Sequence, residues 1–389
     1  MTTWHIVTGE YPPLHGGVSD YTQAIAMGLS AAGEEVHVWC PDARGAAKCG
    51  PEGVQLHRIA GTWSSADLHR IDREMDAVAG ERRLLLQWVP HAYGKRSLNV
   101  RFCRWIRRRA KSGDALDIMV HEPGLAFREG NVRHDVAAAV HRLMLTTLLS
   151  NARRVWVAIP AWGDVLRPWA IGRGDLTFGW LPVPSTLPVV NDADAVRRIR
   201  AGQLATPADV LIGHFSTYQP AIRRTLCEML PALLSSTPGI HVELLGRGGE
   251  AVAEQLRGIV GDNGDRITAP GDLDPVFLSH RLQACDLLIQ PYPDGASSRR
   301  TTLMSALAHG IPVVTTIGHL SESFWDDSDA VATAPVGDIA ALSRVVAELL
   351  RDSQRRGRMA VAARSLYEER FSLPHVIEAL RSEMCGAVC

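Results

Sequence analysis

A chain of 389 residues is longer than one compact core comfortably serves and suits two domains of ordinary size. Hydrophobic residues at 46% and charged residues at 21% are normal for a soluble globular protein, and the formal net charge of −1 excludes whole-molecule attraction to nucleic acid or to an acidic partner. Any anion site must be local, and with Lys48, Lys95 and Lys111 the only lysines it falls to arginine forks and backbone amides.

The opening stretch, MTTWHIVTGEYPP, enters a strand pattern without a charged leader, and no apolar run approaches the ~20 residues that cross a bilayer. Cys40, Cys49, Cys103, Cys227, Cys285, Cys385 and Cys389 are odd in number and contain no C-x-x-C pair. They read as reduced thiols, not as a disulfide framework or a zinc site. A cytoplasmic location is expected.

Short β-branched runs alternate with helical-period segments along the whole chain, the pattern of parallel sheets built from βαβ units. In the first half the strand candidates are Trp4–Thr8, Glu35–Cys40, Val54–Ile59, Leu84–Val89, Ile118–His121, Val155–Ile159 and Thr177–Leu181. The second half restarts with Val210–Phe215, His241–Leu245, Arg266–Ala269, Leu287–Gln290, Pro312–Thr316 and Val331–Ala334. Two series of about six strands predict two Rossmann-like, doubly wound sheets, since one sheet of twelve is unusual. The boundary falls in LPVPSTLPVV, where Pro182, Pro184 and Pro188 forbid helix and stiffen a connector. The expected division is 1–184, 185–372 and an extra C-terminal helix in 373–389 that crosses back to the first domain.

After the first strand, Gly16-Gly17 precedes a helix starting near Ser19 and ending at Gly33. A glycine pair before a helix N-terminus lets backbone amides approach an anion, and also serves as a plain turn. Further on, Asp294, Gly295, Ser297 and Ser298 lead from a buried strand into a helix predicted from about Arg299 to His309. Such a loop at the carboxyl end of a parallel strand is where doubly wound folds hold phosphorylated ligands. Arg299 and Arg300 fall in the first turn, where the helix dipole disfavours cations, so a negative partner is expected; solvated surface side chains are the alternative.

Tyr11-Pro12-Pro13 … Gly16-Gly17-Val18-Ser19 … Leu29-Ser30-Ala31-Ala32-Gly33-Glu34-Glu35-Val36-His37-Val38 resembles the opening of family-four (group 1) GT-B glycosyltransferases, "P-P-x-x-G-G-V…L-A-x-x-G-H-x-V-x-V". Ala306-Leu307-Ala308-His309-Gly310-Ile311-Pro312-Val313-Val314 is similar to the end of that family's donor segment, "E-G-F-G-L-P-x-L-E-A-M-A-x-G-x-P-V-V". Counted back from Gly310, the two glutamates of the family's E-x7-E fall on Ser297 and Ser305, so neither carboxylate is carried over. The resemblance implies two Rossmann-like domains facing a central cleft, acceptor in the first and nucleotide sugar in the second.

It also implies roles for particular residues. Gly16 and Gly17 match the loop near the donor phosphates. Asp294, Gly295, Ser297, Ser298, Arg299, Arg300, Thr301 and Ser305 occupy the donor segment. Ser216, ending the strand at 215, stands where the family has an Arg/Lys pair for the diphosphate; here Arg223 and Arg224 follow within nine positions and are expected to reach back. Gly246 and Arg247 resemble the family's glycine loop beneath the base, or form a simple strand-to-helix turn. His121 sits where members place a histidine on the donor sugar, and Glu122 beside it is a candidate base; a histidine bonded to a neighbouring carbonyl is the alternative. Among tryptophans in or next to loops (Trp63, Trp88, Trp162 and Trp169), Trp88 and Trp162 are the candidates for stacking on an acceptor.

The run Arg101–Lys111 is a basic helix, read as a solvated outer face or as a peripheral contact with anionic membrane, as in some family members. No metal-ligand spacing is visible, so a metal-independent reaction is expected. The co-substrate implied is a UDP- or GDP-sugar, with a sugar, polyol or lipid-linked acceptor, no other cofactor and no nucleic acid. The activity implied is glycosyl transfer with retention of configuration. Alternatives are a GT-B-type epimerase or pseudo-glycosyltransferase, or a catalytically degenerate nucleotide- or glycan-binding subunit.

Overall fold

The computed structural model describes residues 2–14, 16–43, 50–59, 62–94, 97–128 and 130–382. It divides into two compact units, one running to Pro182 and taking in the segment from Leu373, the other Val183–Ser372.

In the first unit the strands are β1 (Thr2–Thr8), β2 (Glu35–Pro41), β3 (Val54–Ile59), β4 (Glu81–Trp88), β5 (Ala115–Val120), β6 (Arg154–Val157) and β7 (Thr177–Trp180). They form one sheet in the order β3-β2-β1-β4-β5-β6-β7, and every pairing is parallel. The consecutive buried run Leu84-Leu85-Leu86 shows why alternation is absent from the sequence: a parallel sheet covered on both faces buries every side chain. Its helices are α1 (Gly17–Ala31), α2 (Ser65–Asp76), α3 (Val100–Lys111), α4 (Val132–Leu149) and α5 (Ala161–Leu166). A capping box starts α2. Ser64 Oγ accepts from Asp67 N at 3.2 Å, and the Asp67 carboxylate accepts from Ser64 N at 2.9 Å.

The second unit has β8 (Val210–Phe215), β9 (Ile240–Leu245), β10 (Ile267–Thr268), β11 (Leu287–Gln290), β12 (Val313–Ile317) and β13 (Val331–Pro335), in the order β10-β9-β8-β11-β12-β13, again all parallel. Its helices are α6 (Ala193–Gln203), α7 (Pro220–Ser236), α8 (Gly249–Val260), α9 (Pro275–Ala284), α10 (Thr301–Ala308), α11 (Ile339–Arg351) and α12 (Ser353–Arg370). Strand order reverses between β1 and β4 in one sheet and between β8 and β11 in the other, and those two points are where doubly wound folds open a crevice for ligands.

The last helix, α13 (Leu373–Arg381), belongs to the first unit and packs on α1. A Cβ at Gly28 would lie 2.7 Å from Ile377, so a glycine is needed for this approach. The end of α13 is held by arginines anchored on a single buried acid. Asp117 is fully buried and receives Arg83, Arg153 and Arg154; Arg83 and Arg154 also donate to Leu380 O at 2.5 and 2.9 Å. Arg154 reaches Ser382 O at 2.6 Å as well.

Candidate functional site

At the reversal point of the second sheet, the last but one residue of β8 is His214, whose Nδ1 donates to Ile289 O at 2.6 Å. That bond fixes the tautomer, so Nε2 accepts the Ser216 hydroxyl at 2.8 Å, while Ser216 Oγ accepts from Tyr218 N at 3.0 Å. Burial lowers the His214 pKa to about 4, and the ring is neutral. The Ser216 proton is thereby used inside the chain, which corrects the expectation that this hydroxyl meets a phosphate. Gly246 has φ +94°, and a Cβ there would lie 2.5 Å from Ser216 O; the glycine lets two strand ends touch. Arg247 is exposed, 3.5 Å from Asp272.

The loop after β11 is tightly built. Ala296 N donates to Thr316 O at 2.7 Å, and Leu320 N to Asp294 O at 3.1 Å. Gly295 has φ +96°, with Gly318 N only 2.4 Å from where a Cβ would be. Helix α10 begins at Thr301, so Arg299 and Arg300 precede it, Arg300 as the N-cap residue, and the predicted start two residues earlier is corrected. Both guanidiniums close on Asp294, and that of Arg300 stacks over the Tyr292 ring at 4.8 Å. The negative partner expected of these arginines is therefore supplied in part by the loop itself. Two guanidiniums thus share one carboxylate at the helix entry.

A residue without a sequence signal completes this loop. Glu322 accepts from Ser298 N at 3.0 Å, from the Ser298 hydroxyl, and from Trp325 Nε1 at 2.7 Å. Burial pushes its carboxyl above the usual range against the pull of these bonds. It lies in SESFW, which matches no motif considered, and 24 residues separate it from Ser298. Ser297 Oγ is buried and has no hydrogen-bond partner, as is Gln290 Oε1 at the end of β11. Ser305, in register with the family's later glutamate, donates back to Thr301 O at 2.9 Å and meets Ser185 Oγ at 3.1 Å. It is a buried helix residue, which corrects its assignment as a ligand contact. Arg223 and Arg224 lie exposed in the first turn of α7. Arg223 Nε donates to Gln255 on α8 at 2.6 Å, so it turns to the neighbouring helix instead of reaching back to the strand end.

At the reversal point of the first sheet, Thr8 and Gln87 are register partners. Gln87 Oε1 accepts from His121 Nε2 at 2.7 Å, while Gln87 Nε2 is buried without a partner. His121 directly follows β5, and Tyr21 meets its ring edge-on at 4.8 Å between centroids. Burial lowers its pKa to about 3, so the ring is neutral and its Nε2–H is engaged by Gln87. Glu122 is exposed. Glu10, unassigned from the sequence, lies against Gly16: a Cβ there would be 2.5 Å from Glu10 Oε2. Burial first, then the fields of Asp20 and Glu122, raise its carboxyl pKa, with His91 opposing. Beside Gly17 there is open space.

The tryptophans expected to stack on an acceptor are core residues. Trp88 is fully buried and stacks on Tyr93 at 6.0 Å; Trp162 and Trp63 are buried too, and Trp169 is half-buried with Arg142 5.7 Å from its ring. Cys40, Cys103, Cys227 and Cys285 are free thiols, while Cys49, Cys385 and Cys389 lie outside the described residues. Among the described residues no group of three or more His, Cys, Asp or Glu side chains could hold a metal ion, and no helix is long and apolar enough to cross a membrane.

Two doubly wound parallel sheets in sequence, each with strand order reversing at its centre, define the GT-B class. Residues 208–352 match the family model described as glycosyl transferases group 1. The chain has the GT-B fold, and its similarity to the group 1 family lies within residues 208–352. It is 26% identical over 213 residues to the phosphatidyl-myo-inositol mannosyltransferase of Mycobacterium leprae (strain TN), covering 51% of this chain and 55% of that protein. The chain thus spans about half the length of this curated relative. Sucrose-phosphate synthase from Thermosynechococcus elongatus shares the fold with a TM-score of 0.71 at 17% identity, over 98% of this chain and 97% of that one. Anabaena HepE, solved in complex with UDP and glucose, does so with a TM-score of 0.67 at 15% identity, over 98% of each chain.

Proposed function

We propose that this protein transfers a glycosyl group from a nucleoside-diphosphate sugar to a hydroxyl acceptor, with retention of configuration and without a metal. The observation that carries this reading is the Asp294–Arg300 loop: two guanidiniums against one carboxylate, at the N-terminus of α10 and the carboxyl end of β11. As the bond from the anomeric carbon to the β-phosphate oxygen breaks, negative charge develops on the leaving diphosphate. Two fixed guanidiniums and helix-entry amides stabilise that charge without reorganising. The acceptor oxygen bonds the same carbon, and its proton passes to the departing phosphate, so no protein nucleophile is consumed. Absence of a carboxylate at Ser297 and Ser305 is compatible with that route.

UDP or GDP is the proposed donor nucleotide; the binding of UDP and glucose by HepE, a fold relative, supports the former. For the acceptor, the relative named as acting on phosphatidyl-myo-inositol supports a polyol or lipid-linked hydroxyl. Hydroxyl recognition in the first unit is assigned to His121, Gln87 and Glu10, with a cytoplasmic setting proposed for the reaction.

The test is a panel of UDP-, GDP- and dTDP-sugars followed by thermal shift and by release of nucleoside diphosphate with candidate acceptors. Donor binding raises the melting temperature by mass action. Nucleotide-dependent stabilisation with acceptor-dependent nucleoside diphosphate release is expected. Stabilisation without release under any acceptor would instead identify a binding subunit, and no shift with any nucleotide would overturn the proposal.

A further inference from the structure

Helix α4 of the first unit carries one stripe more than its place on the sheet requires. Ala138, His141, Met144, Leu145, Leu148 and Leu149 form its buried face. On the far side Val132, Val136, Ala139 and Leu143 are exposed, Val132 by 77%, Val136 by 59% and Leu143 by 53%. Their spacing of four, three and four residues sets them in one line along the axis, as in the seam of a coiled coil. Phe127, just before the helix, is exposed as well and widens the apolar surface. A contiguous apolar line left in water marks a contact surface.

The flanks of the seam point to what covers it. Asp135 and Arg142 stand seven residues apart and so share one flank. Asp135 Oδ1 accepts from Arg128 N at 2.8 Å, and no cation pairs with this acid among the described residues. Arg142 lies over the Phe127 ring at 4.3 Å and 5.7 Å from that of Trp169, and donates to the carbonyls of Leu125 and Ala138. It too has no carboxylate partner among the described residues. A two-fold axis brings these opposite charges together. With α4 antiparallel to the α4 of a second copy, Val132 faces Leu143 and Val136 faces Ala139, and each Asp135 comes level with the other copy's Arg142. Ala139 is the smallest residue of the seam and leaves room for the β-branched Val136 at its centre. On the other flank the same symmetry sets Arg133 level with Val140, so no like charges meet. A lipid surface calls for a cationic rim, whereas this flank pairs an acid with a base.

We infer that the exposed seam of α4 is the interface of a homodimer, two copies packed antiparallel through this helix with reciprocal Asp135–Arg142 ion pairs. Such an interface uses the same patch on both copies and closes at two. It also braces the segment that leads away from His121. Leu125 N donates to His141 Nδ1 at 3.1 Å, and His134 Nε2 donates to Ala126 O at 2.8 Å, so α4 already holds that segment. The inference concerns assembly, and its test reads mass, independent of whether the glycosyl-transfer proposal holds.

The experiment is sedimentation velocity over a concentration series. It compares the full chain with Val136→Asp, Asp135→Arg and Arg142→Asp, each checked for native circular dichroism and melting temperature. The unaltered chain is expected to show a monomer–dimer equilibrium. Val136→Asp places a carboxylate in the middle of the seam and should weaken the dimer at least about tenfold. Asp135→Arg and Arg142→Asp each set like charges level with one another and should weaken it as much. Mixed in equal amounts, these two charge variants present opposite charges at both contacts, so the mixture should regain the dimer that neither forms alone. A chain that stays monomeric throughout, a Val136→Asp dimer as tight as the parent's, or a mixture no more dimeric than its components overturns the inference. So does a monomeric parent that floats on phosphatidylcholine–phosphatidylglycerol vesicles and loses this with Val136→Asp, which would assign the face to lipid.

Discussion

Glu322 holds Ser298 by both its main-chain N–H, at 3.0 Å, and its hydroxyl, so the loop entering α10 is tied to a segment beyond the next strand. Replacement by alanine leaves the Ser298 donors and the Trp325 indole N–H without an acceptor. A loss of about 2–3 kcal/mol of stability is expected, with weaker nucleotide binding, measured by denaturant titration and thermal shift. Because burial raises the Glu322 pKa, the folded state binds this proton more tightly than the unfolded chain. Its contribution to stability therefore falls as pH climbs from the ordinary carboxylate range through the folded pKa, then levels. Glu322→Gln removes that slope; an unchanged pH profile would show that another group sets it.

Arg300 and Arg223 were both candidates for the diphosphate on sequence, and the structure gives them different partners. Arg300 caps α10 beside Asp294, while Arg223 is engaged with Gln255 on a neighbouring helix. Arg300→Ala is expected to weaken UDP or GDP binding about tenfold, and Arg223→Ala to leave it within about twofold. Isothermal titration of the two variants decides this, and equal losses would count against the donor loop.

Gly16 and Gly17 are expected to differ just as sharply. A methyl group at 16 meets the Glu10 carboxylate, whereas position 17 opens on empty space. Since Glu10 is a flexible side chain, Gly16→Ala displaces it at small cost to folding. Turnover should drop about tenfold with little change in melting temperature, and Gly17→Ala should behave as the parent. Loss in both variants would mean that the loop backbone, not Glu10, is what matters.

Asp117 carries the anchorage of α13. Asp117→Asn leaves Arg83 and Arg154 buried without their counter-charge, and destabilisation of about 3–5 kcal/mol is expected. Proteolysis should then release the C-terminal segment first, because Leu380 O is held by the same two arginines. Protection equal to that of the parent chain would refute this coupling.

Acid should destabilise the protein well before its carboxylates titrate. The pKa of His121 and of His5 is lowered to about 3, and that of His57 and of His214 to about 4, in each case chiefly by burial. Unfolded, these rings protonate near the ordinary value of 6.5, so the unfolded chain gains protons first as pH falls. Stability is fully present above about 6.5 and is lost progressively down towards 4 and 3. Unfolding free energies at pH 7 and pH 5, read from denaturant titrations, should differ by on the order of 2 kcal/mol per ring. Equal values would show that these rings open to solvent before global unfolding.

The strand framework was legible because its signal is local. All thirteen strand segments fall within a few residues of those expected, from Val54–Ile59 at both ends to Glu81–Trp88, which starts three residues early. Apolar runs of four to eight residues between turns follow directly from burial on both faces of a parallel sheet. The Gly16 loop was legible for the same reason: a glycine pair before a helix is written in consecutive residues. Arg299 and Arg300 were expected inside the first turn of α10 and precede it instead, and their partner was not legible, because spacing tells nothing about which way Asp294 turns.

What the sequence by itself determined is the succession of β and α segments, the two-sheet class and the two loops at which ligands are expected, since periodicity and turn chemistry are properties of neighbours. Tertiary structure alone decided which polar groups are spent on the fold and which remain. Ser216 and Ser305 are consumed by His214, Tyr218, Thr301 and Ser185; Trp88 and Trp162 vanish into the core; Glu322 enters the loop before α10 from 24 residues away. Hydrogen bonds and burial at such separations depend on how elements pack, and that is fixed only when the chain closes on itself.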